Sequence, residues 1–219
     1  MCRILTERPL LLRACDAGAF GKAECIGSSK ASQALFTYLE GEVCEEVLDR
    51  LEFAGRHLVC LTQPWAERLE GMGLKTYTRW HMKPQAAYPT DVPIRLPEGY
   101  ALQLFDEEAF AQKPFGHGGQ YRDWADFAAR GVGNVVKHDG SIVAAASSYL
   151  TLGNETEMDI STDEMHRRKG LTQACAAAML MECCRRGIAV HWDAQNEASR
   201  NLALKLGYEI QCEYEVFLG

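Results

Sequence analysis

Apolar and polar positions along this chain recur with two periods, and each switch of period marks a change of element. Over residues 155–162 the period is two. Glu155, Glu157, Asp159 and Ser161 fall on one side and Thr156, Met158 and Ile160 on the other, as in a strand whose successive side chains point to opposite faces. From Leu171 the period lengthens, setting Leu171, Ala174, Ala178 and Met181 on one stripe of a helix that runs to Arg185, Arg186 and Gly187. A short apolar strand over 188–192 and a helix ending at Gly207 follow. This order predicts a parallel strand pair joined by a crossover helix.

Earlier in the chain the pattern predicts a strand over 100–105 and a helix over 121–130 carrying Trp124 and Phe127. Strands over 134–137 and 142–150 form a hairpin turning at His138, Asp139 and Gly140, because Asp-Gly suits a two-residue turn. In the first part, Val43, Val47, Leu48 and Leu51 make the apolar stripe of a helix over 42–53. A strand over 57–61, a helix over 65–72 entered through Pro64, and a strand over 75–82 follow. Four of the seven prolines, Pro84, Pro89, Pro93 and Pro97, cluster next. Their missing amide donors predict an extended linker. The expected organisation is an N-terminal α/β half over 1–83, a linker over 84–98 and a second domain over 99–219, of mixed α/β (α+β) class.

One turn carries candidate chemistry: His166, Arg167, Arg168, Lys169, Gly170, Leu171 and Thr172 open the long helix. The first amides of a helix lack intrahelical partners and lie at the positive end of its dipole, so an anion is stabilised there. Gly170 lets a diphosphate approach the backbone because no Cβ intervenes. The ordinary alternative is a solvated cationic run before an amphipathic helix. Neither Gly-x-Gly-x-x-Gly nor Gly-x-x-x-x-Gly-Lys-Ser/Thr occurs in the chain. The three acids on one face of strand 155–162 are costly side by side unless they meet water or a cationic ligand.

These residues resemble the GCN5-related N-acetyltransferase (GNAT) superfamily. Its coenzyme A turn has Arg or Gln, two residues, Gly, one residue, then Gly or Ala, and maps onto Arg167, Gly170 and Thr172, departing at the last position. Ile160, Ser161, Thr162, Arg167 to Leu171, Trp192, Asp193, Asn196, Ser199 and Leu202 to Tyr208 look like the branch that includes the zwittermicin A resistance protein. The likeness spans residues 127–219 and is thin before them.

The resemblance implies a central mixed sheet flanked by helices and acetyl-coenzyme A as co-substrate. It implies that the main chain of Ile160, Ser161 and Thr162 pairs with the pantetheine arm. Arg167, Arg168, Lys169, Gly170, Leu171, Thr172 and Gln173 would wrap the pyrophosphate. Asn196 would contact the cofactor, a role compatible with that of a plain helix N-cap. The family's tyrosine, the acid that protonates the departing thiolate, is replaced here by Ala203. A thiol of pKa about 8.5 leaves tolerably without it, with water or Tyr208 as donor. A base must take a proton from the attacking amine, and His191, Glu157 through a water, and Asp193 are the candidates. Each also has an ordinary role as a packed histidine or a salt-bridged carboxylate. A backbone N–H near Ile160 to Thr162 is the natural oxyanion donor. The implied activity is direct acetyl transfer to the amine of a small molecule in a ternary complex. The alternatives are a non-catalytic acyl-coenzyme A binding or sensing module and a plain interaction domain.

Composition narrows the partners. The chain has 219 residues, 47% hydrophobic and 24% charged, with net charge -7. That balance argues against a broad nucleic-acid or anionic-membrane surface. Nine cysteines without Cys-x-x-Cys or zinc-finger spacing read as reduced, mostly buried hydrophobes, so no metal is expected. Charges interrupt the first residues, and no run of about twenty apolar residues exists, so neither a secretory signal nor a membrane span is expected, and the cytoplasm is the default.

Two further features stand out. Phe115 to Tyr121, rich in glycine around His117, reads either as an acceptor lid or as a flexible connection with a solvent-exposed histidine. His57 to Gly73 and His191 to Gly207 share a step of strand, helix, glycine and strand, hinting that 1–83 is a degenerate copy of the transferase half.

Overall fold

The computed structural model describes residues 4, 5, 10, 13, 23–26, 29–32, 36–51, 53, 55–85 and 93–219. Residues 86–92 of the expected linker, with Pro89, and Cys2 and Cys15 lie outside the described residues. In chain order the elements are strands β1 (Ala23–Ile26), β2 (Ser29–Ser32) and β3 (Phe36–Leu39), helix α1 (Glu45–Arg50), β4 (His57–Cys60), α2 (Gln63–Gly71), β5 (Lys75–Pro84), β6 (Tyr100–Leu104), α3 (Glu107–Gln112), α4 (Trp124–Arg130), β7 (Gly133–His138), β8 (Ser141–Leu152), β9 (Glu155–Thr162), α5 (Leu171–Arg186), β10 (Ala189–Ala194), α6 (Glu197–Lys205) and β11 (Tyr208–Leu218). The class is mixed α/β. The chain divides into two compact units, Met1–Lys83 with Asp193–Asn201 and Ile210–Gly219, and Pro84–Trp192 with Leu202–Glu209.

In the first unit the strands run in the order β3, β4, β11, β5. β3 and β4 are parallel, with Phe36 opposite His57, and β11 is antiparallel to β4, with Val216 opposite Val59. Val47 and Leu48 of α1 and Trp65 and Leu69 of α2 bury against Leu39, Leu58, Cys60 and Phe217. Burying each such side chain stabilises by about 1.5–3 kcal/mol. The helix expected over 42–53 is shorter, because Leu51 already has extended backbone at φ -69, ψ 115. β1 and β2 form an antiparallel hairpin.

In the second unit the order is β6, β7, β8, β9, β10. Pairing is antiparallel through β9 and parallel between β9 and β10, so this sheet is mixed. The β7–β8 hairpin turns at Asp139 and Gly140, whose φ values of 49° and 77° belong to the two-residue turn that Asp-Gly predicts. Helix α5 is the crossover between the parallel strands and packs on β7, β8 and β9. Its buried stripe holds Leu171, Ala174, Cys175, Met179, Leu180 and Cys183. Ala178 is only half-buried and Met181 is exposed, so the stripe is turned from the expected one. α5 ends where Gly187 takes a left-handed conformation and its N–H meets the carbonyls of Cys183 and Cys184. Burial pushes the Cys175 and Cys183 thiols up to about 12, which leaves them unreactive.

Two helix starts are set by aspartate caps. Asp106 accepts from the Ala109 N–H at 2.9 Å and opens α3, which the sequence pattern did not predict. Asp123 accepts from the Asp126 N–H at 2.8 Å, so α4 begins at Trp124 rather than Tyr121. Phe105, Phe110, Tyr121, Phe127, Val135 and Ala145 cluster beneath these helices. Among the described residues no helix is long and apolar enough to cross a membrane.

Candidate functional site

The turn before α5 is built from local strain and local caps. Asp163 accepts from the Met165 N–H at 2.9 Å and starts a single 3-10 turn, Glu164–His166. Arg168 and Gly170 then take φ values of 62° and 76°. A non-glycine residue with positive φ is uncommon and strained, and at Arg168 it reverses the chain so that α5 can begin at Leu171. Gly170 is the N-cap of α5 and offers no side-chain bond, and the first turn carries no acid. A Cβ built on Gly170 meets nothing within 4 Å. The position a Gly170 Cβ would take is open, and the first-turn amides of the helix have no intrahelical partner, the condition that favours an anion.

The flanking side chains are partly engaged. Arg167 pairs with Glu164 at 3.2 Å, both well exposed, a tie of at most about 1 kcal/mol that a stronger anion can replace. Lys169 donates to the Tyr100 hydroxyl at 2.6 Å, and that hydroxyl also meets His166 Nδ1 at 2.9 Å. The Thr172 hydroxyl is bonded to that of Thr162, tying the start of α5 to the end of β9. Leu171 is buried, and Gln173 is half-buried. Thr172, the departure from the small residue of the resemblance, is thus used as a link between helix and strand.

β9 has two unlike edges. Along β8 it pairs over its whole length, with Ala144, Ala145 and Ala146 opposite Thr162, Ser161 and Ile160. Along β10 the parallel ladder runs from Ala189 opposite Glu155 to His191 opposite Glu157. Among the described residues no ladder continues past that point on the β10 side. The main chain of Ile160, Ser161 and Thr162 is thereby left with one edge for another extended group. The two faces of β9 also differ. Thr162 turns to α5, whereas Glu155, with Glu157, Asp159 and Ser161 at alternate positions, belongs to the opposite face. On that face His191 Nε2 lies 2.6 Å from Glu155 Oε2. Two candidate bases, His191 and Glu157, are therefore opposite one another across the parallel pair, beside a third ionisable group.

His117, which the sequence leaves either in an acceptor lid or exposed on a flexible connection, joins this face. It is 1% exposed, so the solvent-exposed alternative does not hold. Its Nδ1 lies 2.7 Å from Ser147 Oγ on β8, and its Nε2 lies 3.1 Å from Ser161 Oγ and 3.7 Å from Asp159 Oδ2 on β9. Desolvation by burial lowers its pKa, opposed by the Asp159 charge. The loop reaches inward because Lys113, Phe115, Gly116 and Gly118 all have positive φ. The glycines on both sides of His117 tolerate these turns, but the sequence does not say which way the turns face.

Asp193 and Asn196 belong to the first compact unit. Asp193 accepts from Arg79 Nε at 2.7 Å and from the Tyr214 hydroxyl at 2.6 Å, one bond to each carboxylate oxygen. Arg79 also reaches the Asp193 carbonyl at 3.1 Å and lies over the Phe36 ring at 4.9 Å from its centroid. This is the arrangement of a largely buried ion pair, in which removing one partner is destabilising. Asn196 Oδ1 accepts from the Ser199 N–H at 2.9 Å, the N-cap role. In the second unit Ala203 is fully buried, and Tyr208, the alternative thiolate acid, is buried with its hydroxyl donating to the Val190 carbonyl at 3.1 Å.

The family model for GNAT acetyltransferases matches residues 21–217. Among solved structures the chain is similar to a GCN5-related N-acetyltransferase-like protein from Streptococcus suis 89/1591, at 28% identity and TM-score 0.84 over 96% of this chain and 92% of that one. It is similar in fold to a GCN5-related N-acetyltransferase from Kribbella flavida, at 18% identity and TM-score 0.61 over 95% of each chain. It is similar in fold also to a tandem GNAT protein from the clavulanic acid biosynthesis pathway, at 15% identity and TM-score 0.53 over 87% of this chain and 76% of that one. No curated protein matches the chain.

Proposed function

The chain belongs to the GNAT acetyltransferase family, and we propose that it is an acetyl-coenzyme A-dependent N-acetyltransferase acting on the amine of a small molecule by direct attack in a ternary complex. The observation that carries this reading is the start of α5 at Gly170, which offers no side-chain cap and an open Cβ position, together with the edge of β9 beyond Glu157 that no ladder continues among the described residues. Arg167, Arg168, Lys169, Gly170, Leu171, Thr172 and Gln173 would hold the pyrophosphate through first-turn amides and cationic side chains. Ile160, Ser161 and Thr162 would hold the pantetheine arm through main-chain bonds. Bound there, acetyl-coenzyme A supplies an activated thioester carbon. Glu157 or His191 would take the first proton, the one that turns the acceptor's ammonium into a free amine, and a main-chain N–H of β9 would stabilise the developing oxyanion. Asp193, held by Arg79 and Tyr214, serves this role less well.

The finer placement, in the branch resembling the zwittermicin A resistance protein, rests on the residues named for it above and agrees with a small-molecule acceptor. The same reading takes residues 1–83 as a degenerate copy lacking the phosphate turn.

A second reading, a non-catalytic acyl-coenzyme A binding module, is favoured by the buried Ala203 and the internally bonded Tyr208. One experiment separates the two. Acetyl-coenzyme A should raise the melting temperature, and coenzyme A should be released when polyamines, amino acids and aminoglycosides are offered as acceptors. Stabilisation without release supports the binding module; no stabilisation at all removes both readings.

A further inference from the structure

His117 is the buried titratable group that this transfer scheme leaves unused, and its surroundings are those of a proton carrier. In the tautomer with its proton on Nδ1, His117 donates to Ser147 Oγ and the lone pair on Nε2 accepts from the Ser161 hydroxyl. The rings of Phe105 and Phe115, 6.3 and 6.4 Å away between centroids, flank the imidazole. Asp159 is the charged group set against it: its Oδ2 is 3.7 Å from Nε2, and its side chain is 37% exposed. Burial keeps the imidazole uncharged at neutral pH, and Asp159 stabilises the imidazolium once it forms. Burial alone requires partners for both ring nitrogens, and the carboxylate of Asp159 beside one of them is the addition that lets this imidazole take up charge. Ser161 belongs to the strand segment proposed to hold the thioester arm.

We propose that His117, acting through the Ser161 hydroxyl, stores the proton that crosses from acceptor amine to leaving sulfur. The proposal rests on the N-acetyltransferase reading. As the amine nitrogen bonds to the acyl carbon, Ser161 Oγ takes the amine proton while its own proton passes to His117 Nε2. As the carbon–sulfur bond breaks, its electron pair stays on sulfur, and His117 returns a proton through the same hydroxyl to the thiolate. Ser161 and His117 end as they began, and one proton has moved from nitrogen to sulfur. This answers the loss of the usual acid at Ala203. His117 is a positioning residue here, since the amine meets only Ser161.

The test uses the purified full-length chain and the variants His117→Gln, Ser161→Ala, Ser161→Thr and Asp159→Asn. Coenzyme A release with the fastest amine of the panel is followed across pH, alongside acetyl-coenzyme A affinity, melting temperature and the imidazole 15N NMR titration of the ligand-free protein. Expected are a fall in kcat of about 100-fold or more for His117→Gln and Ser161→Ala, loss of the rising limb of the pH–kcat profile, and near-unchanged acetyl-coenzyme A affinity. Ser161→Thr, which keeps a hydroxyl, restores most of the rate. In the titration, the resonance that His117→Gln removes should move below the ordinary histidine range, and further down in Asp159→Asn. Wild-type kcat and pH profile in Ser161→Ala overturn the proposal, as does a His117→Gln variant that loses rate equally at every pH together with acetyl-coenzyme A binding. A wild-type chain that binds acetyl-coenzyme A but acetylates no amine overturns the transfer reading and this proposal with it.

Discussion

Two glycine-bearing turns in the second unit, one around Gly118 and one at Gly170, rely on the same backbone freedom and differ in what lies in front of them. A Cβ on Gly118 would stand 2.9 Å from two atoms of the Phe110 ring, and one on Gly119 would stand 3.0 Å from the Gly116 carbonyl. That loop is filled from within and closes over His117. A Cβ on Gly170 meets nothing within 4 Å, although its φ is as strained for other residues as that of Gly118. Glycine content alone therefore says nothing about flexibility. Occupied space makes one turn a structural clamp, and open space makes the other a candidate ligand cradle.

The comparison can be broken most directly at the open turn. Gly170→Trp should weaken acetyl-coenzyme A at least 100-fold, about 3 kcal/mol, while the free protein loses only the roughly 1 kcal/mol of left-handed strain, about 2–4 °C in melting temperature. Calorimetric titration showing unchanged affinity would remove the turn as the diphosphate site. At the filled turn, Gly118→Val should cost about 3 kcal/mol of stability from left-handed strain and collision with Phe110. Gly170→Ala should cost only about 1 kcal/mol, from left-handed backbone strain alone. Urea midpoints that rank the two alike would erase the distinction.

Smaller effects sharpen the picture. Thr172→Val removes the hydroxyl link between α5 and β9 and should cost about 1 kcal/mol in the same denaturation assay. The least effect concerns the clamp's neighbour α4. Hydrogen bonds from Arg130 hold the Asp126 carboxyl down at about 2. A carboxyl depressed on folding contributes fully above the ordinary aspartate range near about 3.9 and loses that contribution as pH falls toward 2. For this solvent-screened pair, Asp126→Asn should cost about 0.5 kcal/mol at neutral pH and nothing near pH 2, by urea titration at both.

Much of the second unit was legible because its signals are local. The alternation of β9 matches its observed span, Glu155–Thr162, and Gly170 and Gly187 bound α5 as their backbone freedom implies. Helix α3 escaped because six residues are too few to show a period, although Asp106 followed by Glu107 and Glu108 is a helix-start signature. The face of α5 was misplaced by its composition. Ala174, Cys175, Ala176, Ala177 and Ala178 are apolar all round, so the pattern cannot say which side meets the sheet. The burial of His117 was hidden because a glycine-rich segment looks the same in sequence whether solvent or a strand pair fills its concave side.

The chain alone determined the span of β9 and the glycine ends of α5, and that a cationic, glycine-capped turn opens the longest described helix, because backbone hydrogen bonding and φ preferences act over a few neighbouring residues. Only the tertiary structure decided that His117 would meet Ser147, 30 residues on, and Ser161, 44 residues on, or that Arg79 would meet Asp193 across 114. Such meetings depend on how packed sheets close distant loops onto one another, and close packing is a property of the whole arrangement rather than of any stretch within it.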